Sequence, residues 1–356
     1  METLTGLYAK IEAGSRITDH EALVLMRNAP LLELGRLAQN RMCRFHNSAT
    51  VTFLIDRNIN YTNICTNRCR FCAFYRDSAA PDAYLLTHEQ ILEKVAEAVA
   101  QGATQIMLQG GLNPGVGLEY AERVLKKIKA AFPVLLHSFS PPEIDHFAKQ
   151  SGCSPEEVLH RLKDAGLDSL PGGGAEILSD RVRQAISPHK IGAKRWLEIM
   201  ECAHHRGLPT TATMMLGSIE TLEERIEHLR AVRDLQDKTG GFRAFIPWTF
   251  TAGNTELGGV ATSSIDYLRT LAVSRIYLDN IKNIQGSWVT QGIDIGQMSL
   301  FFGANDLGSI MLEENVVRAA GVANRITEDE MVALIRRAGK TPLQRNTQYE
   351  IVKRYD

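Results

Sequence analysis

From residue 50 almost to residue 310, short runs rich in apolar and β-branched residues alternate with longer amphipathic stretches. Residues 50–55 (Thr-Val-Thr-Phe-Leu-Ile), 105–109, 134–140, 209–216 and 242–246 have the composition of buried strands, with weaker candidates over 168–171, 284–289 and 300–303. Between them, 87–101 sets Ile91, Leu92, Val95 and Val99 on one helical face. Helices are likewise expected over 118–131, 154–166, 196–205, 221–240 and 265–278. The start signals agree with these periods. Thr87-x-x-Gln90 and Thr221-x-x-Glu224 are capping boxes, and Ser154-Pro-Glu-Glu157 joins an N-cap to a first-turn proline. Strands that alternate with helices pair in parallel through crossovers, and eight such steps predict an α/β fold, a (βα)8 TIM-type barrel. The alternative is an open doubly wound sheet. Neither G-x-G-x-x-G nor G-x-x-x-x-G-K-[ST], the loops that would mark such a sheet, occurs.

The ends read differently. Thr18-x-x-Glu21 and Pro30 start helices carrying Leu23, Val24 and Met26, then Leu31, Leu34, Leu37 and Ala38, so 1–49 is expected to be an N-terminal helical cap. The barrel is expected over 50–312. Stretches 313–320 and 328–338 read as helices, so 313–356 is expected to pack C-terminal helices on the outside of the barrel. No linker, charge block or repeat divides the chain.

Composition narrows the classes. The 356 residues are 44% apolar and 23% charged with a formal net charge of -1, which suggests no nucleic-acid partner. No run approaches the ~18 apolar residues of a membrane span, and charges interrupt the first thirty residues where a signal peptide would need an apolar core. A cytoplasmic protein is expected. A reducing compartment would keep its six cysteines as thiols.

Three of those cysteines form Cys65-x-x-x-Cys69-x-x-Cys72, with Phe71 before the last. Such spacing brings three thiolates onto one loop, which points to a metal centre. Structural zinc takes four ligands, and no second cysteine pair lies nearby, since Cys43, Cys153 and Cys202 stand alone. A [4Fe-4S] cube on three cysteines keeps one iron open for chemistry. A zinc knuckle completed by His46 or His88, in a barrel that binds a ligand without chemistry, is the alternative.

In a barrel of this type functional groups sit on the loops after the strands. The cysteine loop, Gly110-Gly111, residues 138–143, Gly172-Gly-Gly174 through Glu176, Trp248, Trp288 and Asn305-Asp306 are therefore expected to share one mouth. Asn60-Tyr-Thr-Asn63, Phe71-Cys-Ala-Phe-Tyr-Arg76, Leu108-Gln-Gly-Gly111, His137-Ser-Phe-Ser-Pro-Pro142, Pro171-Gly-Gly-Gly-Ala-Glu176, Trp288-Val-Thr-Gln-Gly292, Gly303-Ala-Asn-Asp306 and Gln344-Arg-Asn346 complete a pattern. With them the chain resembles the radical S-adenosylmethionine enzymes, in the branch serving menaquinone and deazaflavin synthesis. The resemblance runs from about residue 50 to residue 354. Tyr75, the 137–142 run and the Trp288 and Asn305 segments are more similar to the cyclases of that branch than to its aminofutalosine or deazaflavin synthases.

The resemblance implies a [4Fe-4S] cluster on Cys65, Cys69 and Cys72, and S-adenosylmethionine cleaved to a 5′-deoxyadenosyl radical. That radical would take the ribose C4′ hydrogen of dehypoxanthine futalosine, whose carbon radical then adds to the benzoate ring. A reduced flavodoxin or ferredoxin would supply the electron. Gly110 and Gly111 would let the methionine amino group approach, Glu176 would accept from the ribose hydroxyls, and Arg183 would pair with the methionine carboxylate. Glu176 could instead cap the next helix, and Arg181 could replace Arg183. Ser138, Trp248, Trp288, Asn305 and Asp306 are the substrate candidates; either Trp could equally be barrel packing. His137, as a base, and Glu143 are the catalytic candidates, and His137 reads equally as a hydrogen-bonded structural residue.

Overall fold

The structure, a computed structural model, describes residues 4–355. β1 (Thr50–Leu54) and β2 (Asp56–Ile59) form one run interrupted at Ile55. β2 lies parallel to β3 (Gln105–Leu108), and β3 to β4 (Leu135–Leu136). His137 then bridges Ser169, and Leu170 bridges Thr210, the first residue of β5 (Thr210–Leu216). β5 lies beside β6 (Phe242–Thr249), and β6 beside β7 (Asn283–Ile284). Gln285 bridges Asp306, which opens β8 (Asp306–Ser309), and β8 runs parallel to β1. Three sheets, joined by isolated bridges, thus run in order from β2 to β8 and β1. This is a TIM-type α/β architecture.

Alternation along each strand builds the inside. Leu54, Asp56 and Asn58, Gln105, Met107 and Gln109, Thr211 and Thr213, and Ala244, Ile246 and Trp248 line a central lumen. Their neighbours Phe53, Ile55, Ile106, Leu108, Ala212, Met214 and Phe245 are buried on the opposite face, under the helices. Outside, the boxes at Thr18, Thr87 and Thr221 form as expected, and Gly240, at φ 66, ends the helix Leu222–Thr239. Among the described residues no helix is long and apolar enough to cross a membrane.

The N-terminal segment forms three helices, Leu4–Glu12, Asp19–Asn28 and Leu31–Met42. They pack on the helices Leu222–Thr239 and Ser264–Tyr277. Arg16 pairs with Asp237 at 2.5 Å and Asp279 at 2.8 Å, residues that precede β6 and β7, so this segment docks away from the mouth.

Three expectations need correction. The eighth strand is β8 rather than 300–303, because 300–303 closes the helix Ile293–Ser299. Trp288 opens a short helix, Trp288–Gln291, instead of extending β7. The C-terminal segment is only partly helical: after Glu328–Arg337 come β9 (Thr341–Arg345), parallel to β1, and β10 (Ile351–Arg354), antiparallel to β9. Pro342 and the polar run around it hid that hairpin, since Pro argues against an interior strand. The end of β9 and the chain after it carry Arg345, Thr347 and Tyr349 into the barrel floor, where all three line the lumen.

Candidate active site

The cysteine loop leaves β2 and folds back on itself. Cys65 N–H donates to Arg76 O (3.1 Å), Cys72 N–H donates to Cys69 O (2.9 Å), and Arg68 sits at φ 43. The Arg76 guanidinium gathers the carbonyls of Ala73, Phe74 and Tyr75, so the loop is closed by its own side chain. Burial pushes the Cys69 thiol up to about 12, and it faces Cys65, Cys72 and Lys190. Burial also raises Cys72, while the backbone N–H groups of Phe74 and Tyr75 act on its sulfur in the opposite direction.

Gly110 and Gly111 lie directly against this loop. A Cβ on Gly111 would stand 2.3 Å from Ile64 O and 2.7 Å from Cys65 Cβ, and one on Gly110 would strike the Tyr61 ring at 2.5 Å. Glycine is therefore required for the β3 loop to touch the cysteine loop. Across the mouth, Glu176 is held at φ 40 with Lys190 Nζ 3.1 Å from Oε1, while its buried Oε2 has no hydrogen-bond partner. Burial works against the charge of Lys190, yet Cys69 and Glu176 raise it well above the ordinary lysine range. Lys190 also lies 4.8 Å above the Phe71 ring. From Glu176 the lumen descends as a cavity of about 300 Å³ past Trp248 and Trp288 to Arg243 and Tyr349 at the floor.

This geometry can be set beside known proteins. The radical SAM superfamily pattern matches residues 59–232, and the CofH/MqnC C-terminal region matches 239–355. A cyclic dehypoxanthine futalosine synthase of Streptomyces coelicolor is 50% identical over 95% of this chain and 86% of that protein. The chain belongs to the radical SAM superfamily. A 5-amino-6-(D-ribitylamino)uracil–L-tyrosine 4-hydroxyphenyl transferase of Methanopyrus kandleri is 46% identical over 86% of this chain and 85% of its own. The FeFe-hydrogenase maturase HydG of Carboxydothermus hydrogenoformans shares the fold alone, with a TM-score of 0.79 at 17% identity over 97% of this chain and 80% of that one. The boundary between the two family patterns falls before β6, inside the barrel, so the C-terminal pattern includes the last three barrel strands.

Radical SAM enzymes use a [4Fe-4S] cluster and S-adenosylmethionine, and the residues present fit both. The Cys69 and Cys72 thiols, raised by burial and by the neighbouring sulfurs, are relieved when iron replaces their protons. Among the described residues no three His, Cys, Asp or Glu side chains converge for a single ion, whereas a cube spreads its ligands over its corners. The orphaned Glu176 Oε2 is an acceptor awaiting a hydroxyl donor.

Other expected site residues have different work. Arg183 donates to the carbonyls of Gly174, Ala175 and Ile191 and stands 3.8 Å from Glu176 Oε2, so it fixes the loop that presents Glu176. Arg181 is engaged by Glu224 at 2.7 and 2.6 Å. Ser138 is fully buried, its Oγ accepting from Leu108 N–H. Asn305 Oδ1 accepts from Arg275 (2.7 Å) and from Ile284 N–H (2.9 Å). Asp306 takes Arg345 bidentately at 2.5 and 2.8 Å. Ser138, Asn305 and Asp306 are thus spent on holding strands together. Trp248 and Trp288 do line the lumen, the latter anchored by its indole N–H on Ser309 O (3.1 Å).

His137 lines the lumen with its Nδ1 already engaged. Arg243 has only donors, so His137 Nδ1, 2.9 Å from Arg243 Nη2, is an acceptor and the ring proton sits on Nε2. Burial, then Arg243 and Arg345, hold its pKa well below the usual histidine range, which opposes a second proton.

Glu143 is a positioning residue beneath the mouth. Tyr61 Oη (2.7 Å), Ser140 Oγ (2.6 Å) and Gly110 N–H (3.1 Å) all donate to it, fixing the glycine turn. Burial raises its pKa to about 7. Between the ordinary value of 4.5 and about 7, the folded chain keeps a proton the unfolded chain has released. Its contribution to stability is therefore complete below about pH 4.5 and is lost as pH rises through 7. Glu143→Gln, which cannot ionise, is expected to flatten that part of the stability profile in chemical denaturation. An unchanged slope would rule Glu143 out as its source.

Sequence reasoning passed over Lys190, Arg243, Asp56, Asn58 and Gln105. For the last three a signal existed: Asp56 and Asn58, like Gln105 and Gln109, are an even number of residues apart on strands whose Ile55, Ile59, Ile106 and Leu108 are buried under the helices, so they face a lumen. Lys190 lies in the loop after Asp180–Ile186 and carries no local signal.

Proposed function

We propose that this chain is a radical SAM cyclase that converts dehypoxanthine futalosine to its cyclic form in menaquinone synthesis. The observation that carries the reading is the 50% identity to a cyclase over 95% of the chain. When bound, the cluster and S-adenosylmethionine supply the 5′-deoxyadenosyl radical that removes the ribose C4′ hydrogen. Cys65, Cys69 and Cys72 hold the cluster and leave one iron without a protein ligand. Gly110 and Gly111 keep the loops in contact at the mouth, and Glu176 accepts from the hydroxyls of the cofactor ribose. Trp248 and Trp288 give the substrate's aryl ring a flat wall, and the buried lumen keeps water from the reacting atoms. His137 offers Nε2–H as a donor. The proposal includes a closed (βα)8 barrel over 50–312, with 1–49 and 313–356 packed against it, in a cytoplasmic protein reduced by a flavodoxin or ferredoxin, with neither nucleic acid nor membrane as partner.

The second reading is hydroxyphenyl transfer from tyrosine to a ribitylaminouracil, favoured by the 46% identity to an enzyme of that name. Anaerobic incubation with reductant, S-adenosylmethionine and either substrate set, followed by mass spectrometry, separates them. Cyclic product with 5′-deoxyadenosine is expected. Turnover of tyrosine with the uracil, and none of dehypoxanthine futalosine, would reassign the chain.

A further inference from the structure

We infer that Arg243 is the group that receives the benzoate carboxylate of the substrate at the floor of the lumen, an assignment that rests on the cyclase reading. Phe242 pairs with Thr210 and Ala244 with Thr211, so Arg243 is the extra residue of a β-bulge in β6. A bulge re-aims the side chain it carries, and this one sends a guanidinium into the barrel. Its Nη2 donates to His137 Nδ1 and Ser169 Oγ, both at 2.9 Å. Nη1 is buried and has no partner, and the residue lines the cavity.

The other buried arginines near it are satisfied. Arg345 has the Asp306 carboxylate, and Arg275 donates to the carbonyl oxygens of Gly303, Ile281 and Lys282 and to Asn305 Oδ1. Asp56, an acid lining the same lumen, is already held by Ser309 and Gln105, and Asp168, the acid that acts on Arg243, pairs with Lys129 at 3.0 Å. Arg243 is therefore a buried cation on the cavity wall with one N–H left unpaired, a costly arrangement that an anionic ligand relieves. Burial pulls its pKa down to about 9, Arg345 acting in the same direction and Tyr349 and Asp168 against it.

Length agrees with this assignment. From Arg243 to Trp248 along β6 is roughly 17 Å at about 3.3 Å per residue. An elongated molecule with a carboxylate at one end and a ribose at the other can reach the floor while its sugar stays near the mouth. A neutral aryl group would leave Nη1 unpaired, so Arg243 also selects for the acid.

The test is an anaerobic binding titration of the cluster-loaded, oxidised enzyme, without reductant, using dehypoxanthine futalosine and its benzamide counterpart. The wild type is expected to prefer the acid by about 100-fold, the scale of a buried hydrogen-bonded charge pair. In Arg243→Met that preference should fall to a few-fold, and Arg243→Lys should restore part of it. Equal preference in wild type and Arg243→Met, or none in the wild type while cyclisation proceeds, overturns the assignment alone. Failure of the wild type to bind either compound overturns it together with the cyclase reading. Without ligand, Arg243→Met should melt no lower than the wild type; a lower melting temperature would mean that the protein itself compensates the charge, and would also overturn it.

Discussion

Cys69→Ala is expected to give a folded chain that retains no iron–sulfur cluster and forms no 5′-deoxyadenosine above background. Among the three cysteines Cys69 is the buried one, lying under Lys190 and facing both of the other thiols. Alanine would leave one iron without its thiolate at a position where solvent cannot substitute, and two cysteines do not hold a cube. The loop itself should survive, because its backbone bonds to Arg76 and Asn63 and the Arg76 cap do not use the sulfur. Iron and sulfide analysis after anaerobic reconstitution reads the effect directly. Retention of half the wild-type iron and sulfide would remove Cys69 from the ligand set. Cys202→Ala, on the outer helix Ala193–His205, serves as the control and should reconstitute fully.

The second large effect concerns stability. Asp306→Asn is expected to cost about 3–5 kcal/mol, the range for breaking a buried ion pair from one side. Asp306 is fully buried, and besides Arg345 it accepts from Thr52 Oγ1 (2.5 Å) and Gly308 N–H (2.8 Å). The change leaves the Arg345 charge uncompensated in a floor that also contains Arg243. Against a typical total of about 5–15 kcal/mol, the midpoint in guanidinium should fall substantially. Adding Arg345→Met to Asp306→Asn should recover much of the loss, because the stranded charge is then removed. A substrate contact would behave otherwise, with an unchanged midpoint and a raised KM.

The family was legible because its chemistry is local. Three cysteines at fixed spacing, paired glycines after a strand and a glycine run ending in Glu176 are contiguous motifs, and the alternation of strand and helix set the barrel order. Trp248 and Trp288, two of the substrate candidates, line the lumen because each follows or ends a strand on the mouth side. For Ser138, Asn305 and Asp306 the same position is uninformative: a polar residue near a strand end looks like a site residue until its partners are known. Those partners, Leu108, Arg275 and Arg345, lie 30, 30 and 39 residues away in sequence.

The sequence by itself determined the cluster loop, the order of strands and the class of reaction, since each depends on neighbouring residues and on a repeating period. Only the tertiary structure decided which polar groups are spent and which are free. Hydrogen-bond satisfaction is a sum over elements remote in the chain, and a one-residue bulge, invisible as a pattern, turns Arg243 from the outer face of β6 to the lumen. The pairing of β9 with β1 brings Arg345 and Tyr349 from the far end of the chain under the first strand, so the floor of the site exists only once the barrel has formed.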